Sequence, residues 1–279
     1  MVSTYFLAQL ISRHVKVAIA GDGADELFRQ LSLPPARPAP RQLCRVWEER
    51  RRLLIRPFEA QPDFLARLAP LADWDWRHEL MVFTDEEKSR LWAPDVAAAM
   101  RGFSTREHLR QLFAGLSATD PVNRILEAEF RTIFPDQVMT FVDRLSMAHS
   151  LEVRTAFLDT DVVEFVAGLP GPLKMRGGET KYLLKQAARR YFPEEMVARP
   201  KEGFVMPVTD WLLHGLEDYV RQTLEPVAYG QARALRLRPG AGPRDELHTG
   251  ASTTTAFVNK VLALVVFQEW HDMYMMGGE

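Results

Sequence analysis

Six consecutive residues near the start of the chain, Gly21-Asp22-Gly23-Ala24-Asp25-Glu26, concentrate its most suggestive chemistry. They follow the β-branched run Val15-Lys-Val-Ala-Ile-Ala20 and open a helical stretch, the position where an α/β sheet takes its ligand. The glycines let a ligand come close to backbone. Three carboxylates packed this tightly would repel a nucleotide's phosphates unless a hard divalent cation lay between them, so magnesium is the natural inference. The local alternative is that Asp22 and Asp25 simply cap the helix. An EF-hand fits less well still because its spaced ligands and distal Glu are missing, and a P-loop is excluded because no Gly-Lys-Ser/Thr follows.

Two further segments carry charge in patterns that chemistry could use. Asp143 lies four residues from both Met139 and Met147, so a helix would place it on one face with two thioethers. A carboxylate buried there needs a partner, and Arg131 or Arg154 is expected to reach it from a neighbouring element, Arg144 being on a different face. A structural and a functional ion pair fit that pattern equally. Later, Lys174-Met-Arg-Gly177-Gly178-Glu179-Thr180-Lys181 opens a helix whose apolar stripe is Leu183, Leu184, Ala187, Ala188 and Tyr191. Lys181, Lys185 and Arg189 line another face at i, i+4, i+8. A lysine in the first turn opposes the helix dipole at a cost of ~0.3–1 kcal/mol, which an anion such as pyrophosphate would offset. The alternative is a solvated basic face with Glu179 as counter-charge.

The elements that must position these groups read as mostly helical. Helix patterns cover Thr4–Arg13, Gln42–Leu54, Pro62–Leu71, Asp85–Leu91 and Thr105–Leu116. Asp120-Pro121 signals another start, and further helices run over Gln137–Ser150, Thr160–Gly168, Glu179–Phe192, Thr209–Leu224 and Thr254–Met273. Leu151–Asp159 alternates charge and apolar bulk and reads as a loop positioned against a site, with Asp159 an N-cap. Helix, strand, glycine turn, helix is α/β rhythm, yet the run 15–20 is the one strongly β-like segment. Leu33–Arg41 and Pro226–Ser252 are rich in Pro, Gly and Arg and read as loops.

Composition excludes broad classes of partner. The formal charge is −2, so no global field favours nucleic acid or an anionic membrane. The apolar run Val261–Phe267 is far below the ~20 residues needed to span a bilayer. A lone cysteine, Cys44, excludes an internal disulfide and fits the cytoplasm, and the first residues carry no basic leader.

In this order the segments resemble the synthetase domain of glutamine-dependent asparagine synthetases and their amidotransferase relatives. The resemblance rests on Gly-Asp-Gly-Ala-Asp-Glu-Leu-Phe at 21–28, Val-Asp-Arg-Leu-Ser-Met-Ala-His-Ser-Leu-Glu-Val-Arg at 142–154, Phe-Leu-Asp at 157–159, Lys-Tyr-Leu-Leu-Lys at 181–185 and Arg-Pro-Lys-Glu-Gly-Phe at 199–204. It implies the remnant of a parallel-sheet, adenine-nucleotide-binding domain of PP-loop ATPase type. It also implies ATP, magnesium and an aspartate-like carboxylate, which would be adenylated and then attacked by ammonia. On that pattern Asp25 is the metal ligand; Ala20, Gly21 and Gly23 line the nucleotide; Asp22 takes a proton from the attacking nitrogen; and Lys181 stabilises departing pyrophosphate. Asp143, Arg144 and Arg154 support the site.

Departures from the family pattern set equally specific expectations. The nucleotide loop Ser-Gly-Gly-x-Asp-Ser occurs nowhere in the chain, and neither does a glutaminase cysteine beside the initiator methionine, since the chain begins Met1-Val2. Ala20 stands where the family usually has Ser, Arg29-Gln30 where it has two glycines, and Ala156 where it has Pro. The expectation is a partial domain, truncated on its N-terminal side and inactive alone, with a separate chain as one source of the loop and glutaminase. Two other readings stay open: an amidotransferase acting on a glycan or peptide precursor, lasso-type cyclisation included, and a non-catalytic helical protein that binds a partner through an exposed sheet edge.

Overall fold

The computed structural model describes residues 2–28, 71–79, 81–177, 179–199, 206–228 and 255–276. The expected loop Leu33–Arg41, the helix Gln42–Leu54, Cys44, the stretch 229–252 and residues 200–204 of the last motif lie outside them. The chain divides into two units, one formed by Met1–Leu54 with Leu112–Phe204 and the other by Ile55–Gln111 with Val205–Glu279.

The first unit begins with helix α1 (Val2–Ile11), strand β1 (Val17–Ala20) and the short helix α2 (Ala24–Phe28). After the unit resumes come α3 (Pro121–Arg131) and α4 (Thr140–Met147), the latter entered through a π-helical turn at Phe134–Met139. Asp120 caps α3 by accepting from the N–H groups of Val122 and Asn123 at 2.9 and 3.0 Å, as its position before Pro121 leads one to expect. Ser150 adopts the left-handed conformation (φ 54°), and the Leu151 N–H closes on the Ser146 carbonyl. That turn ends the helix and anchors the fully buried Leu151.

The segment after this turn departs from the loop-like sequence reading. Glu152–Thr155 is a second strand, β2, paired in parallel with β1 so that Val17, Ala18, Ile19 and Ala20 face Glu152, Val153, Arg154 and Thr155. The alternation of charge and apolar bulk there is the period of two of a strand: Glu152 and Arg154 are exposed, Val153 and Thr155 half-buried. Among the described residues the chain is therefore mostly helical, with a two-stranded parallel sheet in the first unit. Helix α5 (Thr160–Ala167), capped by Asp159, then α6 (Gly171–Lys174) and α7 (Tyr182–Ala188) complete this unit's role in the site. Leu27, Phe28 and Val166 form its small core, with Phe130, Phe157, Leu183 and Leu184 packed around them.

In the second unit the helices Glu217–Ala228 and Thr255–His271 pack together through Val220, Leu224, Val258, Val261 and Leu264. The first of these continues to Ala228, so the expected loop does not begin at Pro226. The segment read as one helix from Thr209 is broken, with a π-helical turn at Trp211–Gly215 before Glu217. Among the described residues no helix is long and apolar enough to cross a membrane.

Candidate functional site

Because β1 and β2 are parallel, their carboxyl ends lie at the same edge of the sheet. The acidic turn Gly21–Asp22 follows one strand and Phe157-Leu158-Asp159 follows the other. The two motifs touch. Gly23 has φ 91°, and a Cβ placed on it would lie 2.4 Å from Leu158 Cδ2. Glycine is required at position 23 both for its backbone and for this close approach. Nothing lies within 4 Å of the corresponding position on Gly21, which is exposed, so ligand access is open there and closed at Gly23.

Lys181 comes to the same turn from far along the chain. Its ammonium group pairs with the Asp25 carboxylate, both side chains being half-buried. Its backbone N–H donates to the Phe28 carbonyl at 3.1 Å, so the residue is tied to both ends of α2. The expected helix Glu179–Phe192 is shorter than its pattern. A tight turn at Gly177 (φ 59°), with Arg176 and Glu179 bridged, delays the start to Tyr182. Lys181 is therefore the N-cap, in the left-handed conformation (φ 54°, ψ 33°), rather than a first-turn residue. For a residue with a Cβ that backbone costs roughly 1 kcal/mol, a cost accepted where surrounding bonds over-determine it.

The rest of the basic row behaves differently. Glu179 pairs with Lys185 at 3.4 Å and with Arg189 at 3.8 Å, and Arg189 also binds Glu194 at 2.8 Å. Lys185 and Arg189 are thus a local surface network, while Lys181 alone is directed at the acidic turn.

Asp22 is half-buried, and its carboxyl is pushed above the ordinary range. Burial is the larger cause and the negative charge of Asp25 a further one, against a hydrogen bond from its own backbone N–H. Among the described residues no group of three or more His, Cys, Asp or Glu side chains could hold a metal ion. Asp25 still fits magnesium, which is commonly held by one or two carboxylates while substrate phosphates and water complete its shell.

The other expected site residues are not gathered at this turn. The elements packed on α2 are α3, α5 and α7, whereas Asp143 and Arg144 stand on α4, which packs against α1 and β2. Asp143 is exposed rather than buried, Met147 beside it is exposed too, and among the described residues neither Asp143 nor Arg144 joins an ion pair. The expected partners are engaged elsewhere: Arg131 binds Glu127 at 2.6 Å and Arg154 binds Glu152 at 2.8 Å. The face of α4 that carries Asp143 and Met147 is a solvent face, so the carboxylate needs no buried counter-charge. Ala20 is half-buried opposite Thr155. The roles of the Phe28 carbonyl and of Leu158 were not read from the sequence, because both arise from contacts between distant segments.

Residues 1–272 match the Asparagine synthase family. The chain belongs to that family. It is 28% identical over 279 residues to asparagine synthetase [glutamine-hydrolyzing] 1 of Bacillus subtilis (strain 168), a match that spans 96% of this chain and 42% of the relative. A putative asparagine synthetase [glutamine-hydrolyzing] of Mycobacterium tuberculosis is 26% identical over 293 residues, spanning 99% of this chain and 42% of that protein. With the asparagine synthetase of Gallus gallus the identity is 33% over 96 residues, 32% of this chain and 17% of the relative. The chain thus spans less than half the length of the first two relatives.

Proposed function

We propose that the acidic turn and Lys181 form one side of an asparagine-synthase-type site, which uses ATP to activate an aspartate-like carboxylate for amide formation in the cytoplasm. The observation that carries this reading is the convergence of Lys181 on Asp25: a cation and an acid, far apart in sequence, meet at the carboxyl end of a parallel strand. Each is the other's counter-charge in the structure. When ATP binds, Lys181 turns to the β- and γ-phosphates, and Asp25 would hold magnesium. The cation would supply charge neutralisation at those phosphates. Gly21 leaves room for the nucleotide beside the backbone.

The chemistry then proceeds in two steps. A substrate carboxylate oxygen bonds to the α-phosphorus as the bond to pyrophosphate breaks, giving the acyl-adenylate, and Lys181 stabilises the charge that leaves. Ammonia next attacks the acyl carbon, AMP departs, and the proton shed by nitrogen passes to Asp22. Its raised pKa suits a proton acceptor better than an ordinary aspartate's would. Arg144, Arg154 and Asp143 act at longer range in this reading. The 279 residues hold no Ser-Gly-Gly-x-Asp-Ser loop, so the phosphates lack part of their cradle and the chain by itself does not turn over.

The test is magnesium-dependent exchange of labelled pyrophosphate into ATP with aspartate. The chain alone should show none. Co-expression with the remainder of the Bacillus subtilis relative should restore it, and Lys181→Met in that assembly should abolish it again. Exchange that persists in the Lys181→Met assembly would remove Lys181 from its role.

A further inference from the structure

Lys174, the last residue of α6, is a cation taken out of water: it is 2% exposed. The acid whose charge acts on it is Asp120, the cap of α3, and this works against the burial that lowers its pKa to about 8. Gly171, at the other end of α6, lies on the same carboxylate, since a Cβ placed there would stand 2.3 Å from Asp120 Oδ1. Just before α6, the Leu169 carbonyl accepts from the Asn123 side chain at 2.9 Å. The start of α3 thus holds Leu169, Gly171 and Lys174 together. Stability does not explain the lysine. Desolvating an ammonium group is costly even beside an acid, and an apolar side chain of similar volume in its place is commonly neutral or stabilising.

The chain leaving α6 leads to Lys181. It passes through the Gly177 turn, where Arg176 and Glu179 exchange backbone hydrogen bonds at 3.0 and 2.9 Å. Beyond Lys181, Leu183 and Leu184 pack on the core of Leu27, Phe28 and Val166. Phe130, about 15 Å along α3 from Asp120, packs on that same core. Lys181, left-handed and bonded to the Phe28 carbonyl, therefore lies between two anchors joined by one helix: an apolar anchor downstream and the buried charge upstream.

We propose that Lys174, held at Asp120, is a positioning residue for Lys181: it fixes the upstream end of segment 175–180 so that Lys181 keeps its left-handed backbone and stays directed at the acidic turn. An apolar residue at 174 would fill the volume, but apolar contacts have no direction and allow the segment to shift. A buried ammonium group has one favourable place, beside its opposite charge. The inference rests on the proposed function for what Lys181 then does, while the backbone that Lys174 fixes is open to measurement without substrate.

The test follows the Lys181 amide of the full chain by hydrogen exchange. In Lys174→Met it should exchange faster than in wild type by about tenfold or more, while the Val163 amide, bonded to the Asp159 carbonyl in α5, exchanges as before. The thermal midpoint of that variant at neutral pH should be no lower than that of wild type, which a merely structural role for the lysine does not allow. Asp120→Asn keeps a capping acceptor and removes the charge, so it should speed the Lys181 amide relative to Val163 to a similar extent. In the complemented enzyme Lys174→Met should lower the maximal rate of pyrophosphate exchange about tenfold with the half-saturating aspartate concentration unchanged. An unchanged Lys181 amide in either variant, or an acceleration shared equally by Val163, overturns the proposal. A faster Lys181 amide in both variants with undiminished pyrophosphate exchange leaves the positioning standing and overturns the catalytic reading of Lys181.

Discussion

Asp85 in the second unit and Asp22 in the first both sit at a helix start, and their surroundings differ in kind. Asp85 accepts from the Ser104 hydroxyl at 2.8 Å, from the N–H groups of Thr105 and Arg106 at 3.2 and 3.1 Å, and from Lys88 at 2.8 Å. The fully buried His78 accepts from the Asp85 N–H through Nε2 at 3.2 Å. Burial alone would raise the Asp85 carboxyl, but these bonds outweigh it and hold the group far below the usual carboxylate range. Asp22 has burial and a neighbouring carboxylate acting together, and its pKa moves the other way. A carboxylate surrounded by donors fastens two helix starts; one left poorly compensated at the end of a strand is available to a ligand. Under the proposed function, stability and chemistry fall to different carboxylates.

The contrast can be broken at both ends. The largest effect is expected from Lys181→Met, which should lower pyrophosphate exchange by about 10³-fold in the complemented enzyme. The same change should shift the thermal midpoint little, since the half-exposed ion pair contributes under about 1 kcal/mol. Asp85→Ala should do the reverse. It should cost roughly 2–3 kcal/mol in urea unfolding, because it strands several donors at once, and leave exchange per folded molecule unchanged. The Asp85 contribution is present above the unfolded pKa near 3.8 and is lost as pH falls below it towards the folded value, so wild type and variant should converge in acid.

Lys174 sharpens the comparison with a buried cation. It is 2% exposed, and burial lowers its pKa to about 8 against the raising influence of Asp120. Its folded pKa lies below the unfolded 10.5, so the destabilising cost is fully present below pH 8 and is relieved as pH rises towards 10.5. Lys174→Met should flatten that rise by on the order of 2 kcal/mol when unfolding is compared at neutral and alkaline pH. The smallest effect on stability is expected from Asp22→Asn. Its raised carboxyl weakens the fold at neutral pH, and that cost fades as pH falls through the folded pKa towards 3.8. The amide should therefore stabilise the chain by under about 1 kcal/mol while abolishing amide formation, and a loss of stability would sink the contrast with Asp85.

Local rules carried much of the description. Helix Asp85–Leu91 begins and ends where its pattern places it, held by a capping box between Thr84 and Glu87, and Asp120 and Asp159 cap the helices they precede. These features depend on residues a few positions apart, so the sequence contains all their partners. The glycines and carboxylates of the acidic turn, and the order of motifs marking the asparagine synthase family, are likewise properties of the chain as written.

Contacts between distant segments were beyond such rules. The pairing of Glu152–Thr155 with β1 makes a strand of a segment that reads as a loop, because a strand is defined by its neighbour. The union of Lys181 with Asp25, the closure of Leu158 over Gly23 and the exposure of Asp143 depend in the same way on which helices pack against which. Residue types and their spacing set what chemistry each segment could offer. Tertiary packing decided which offers meet, since burial and opposing charge act through space and not along the chain.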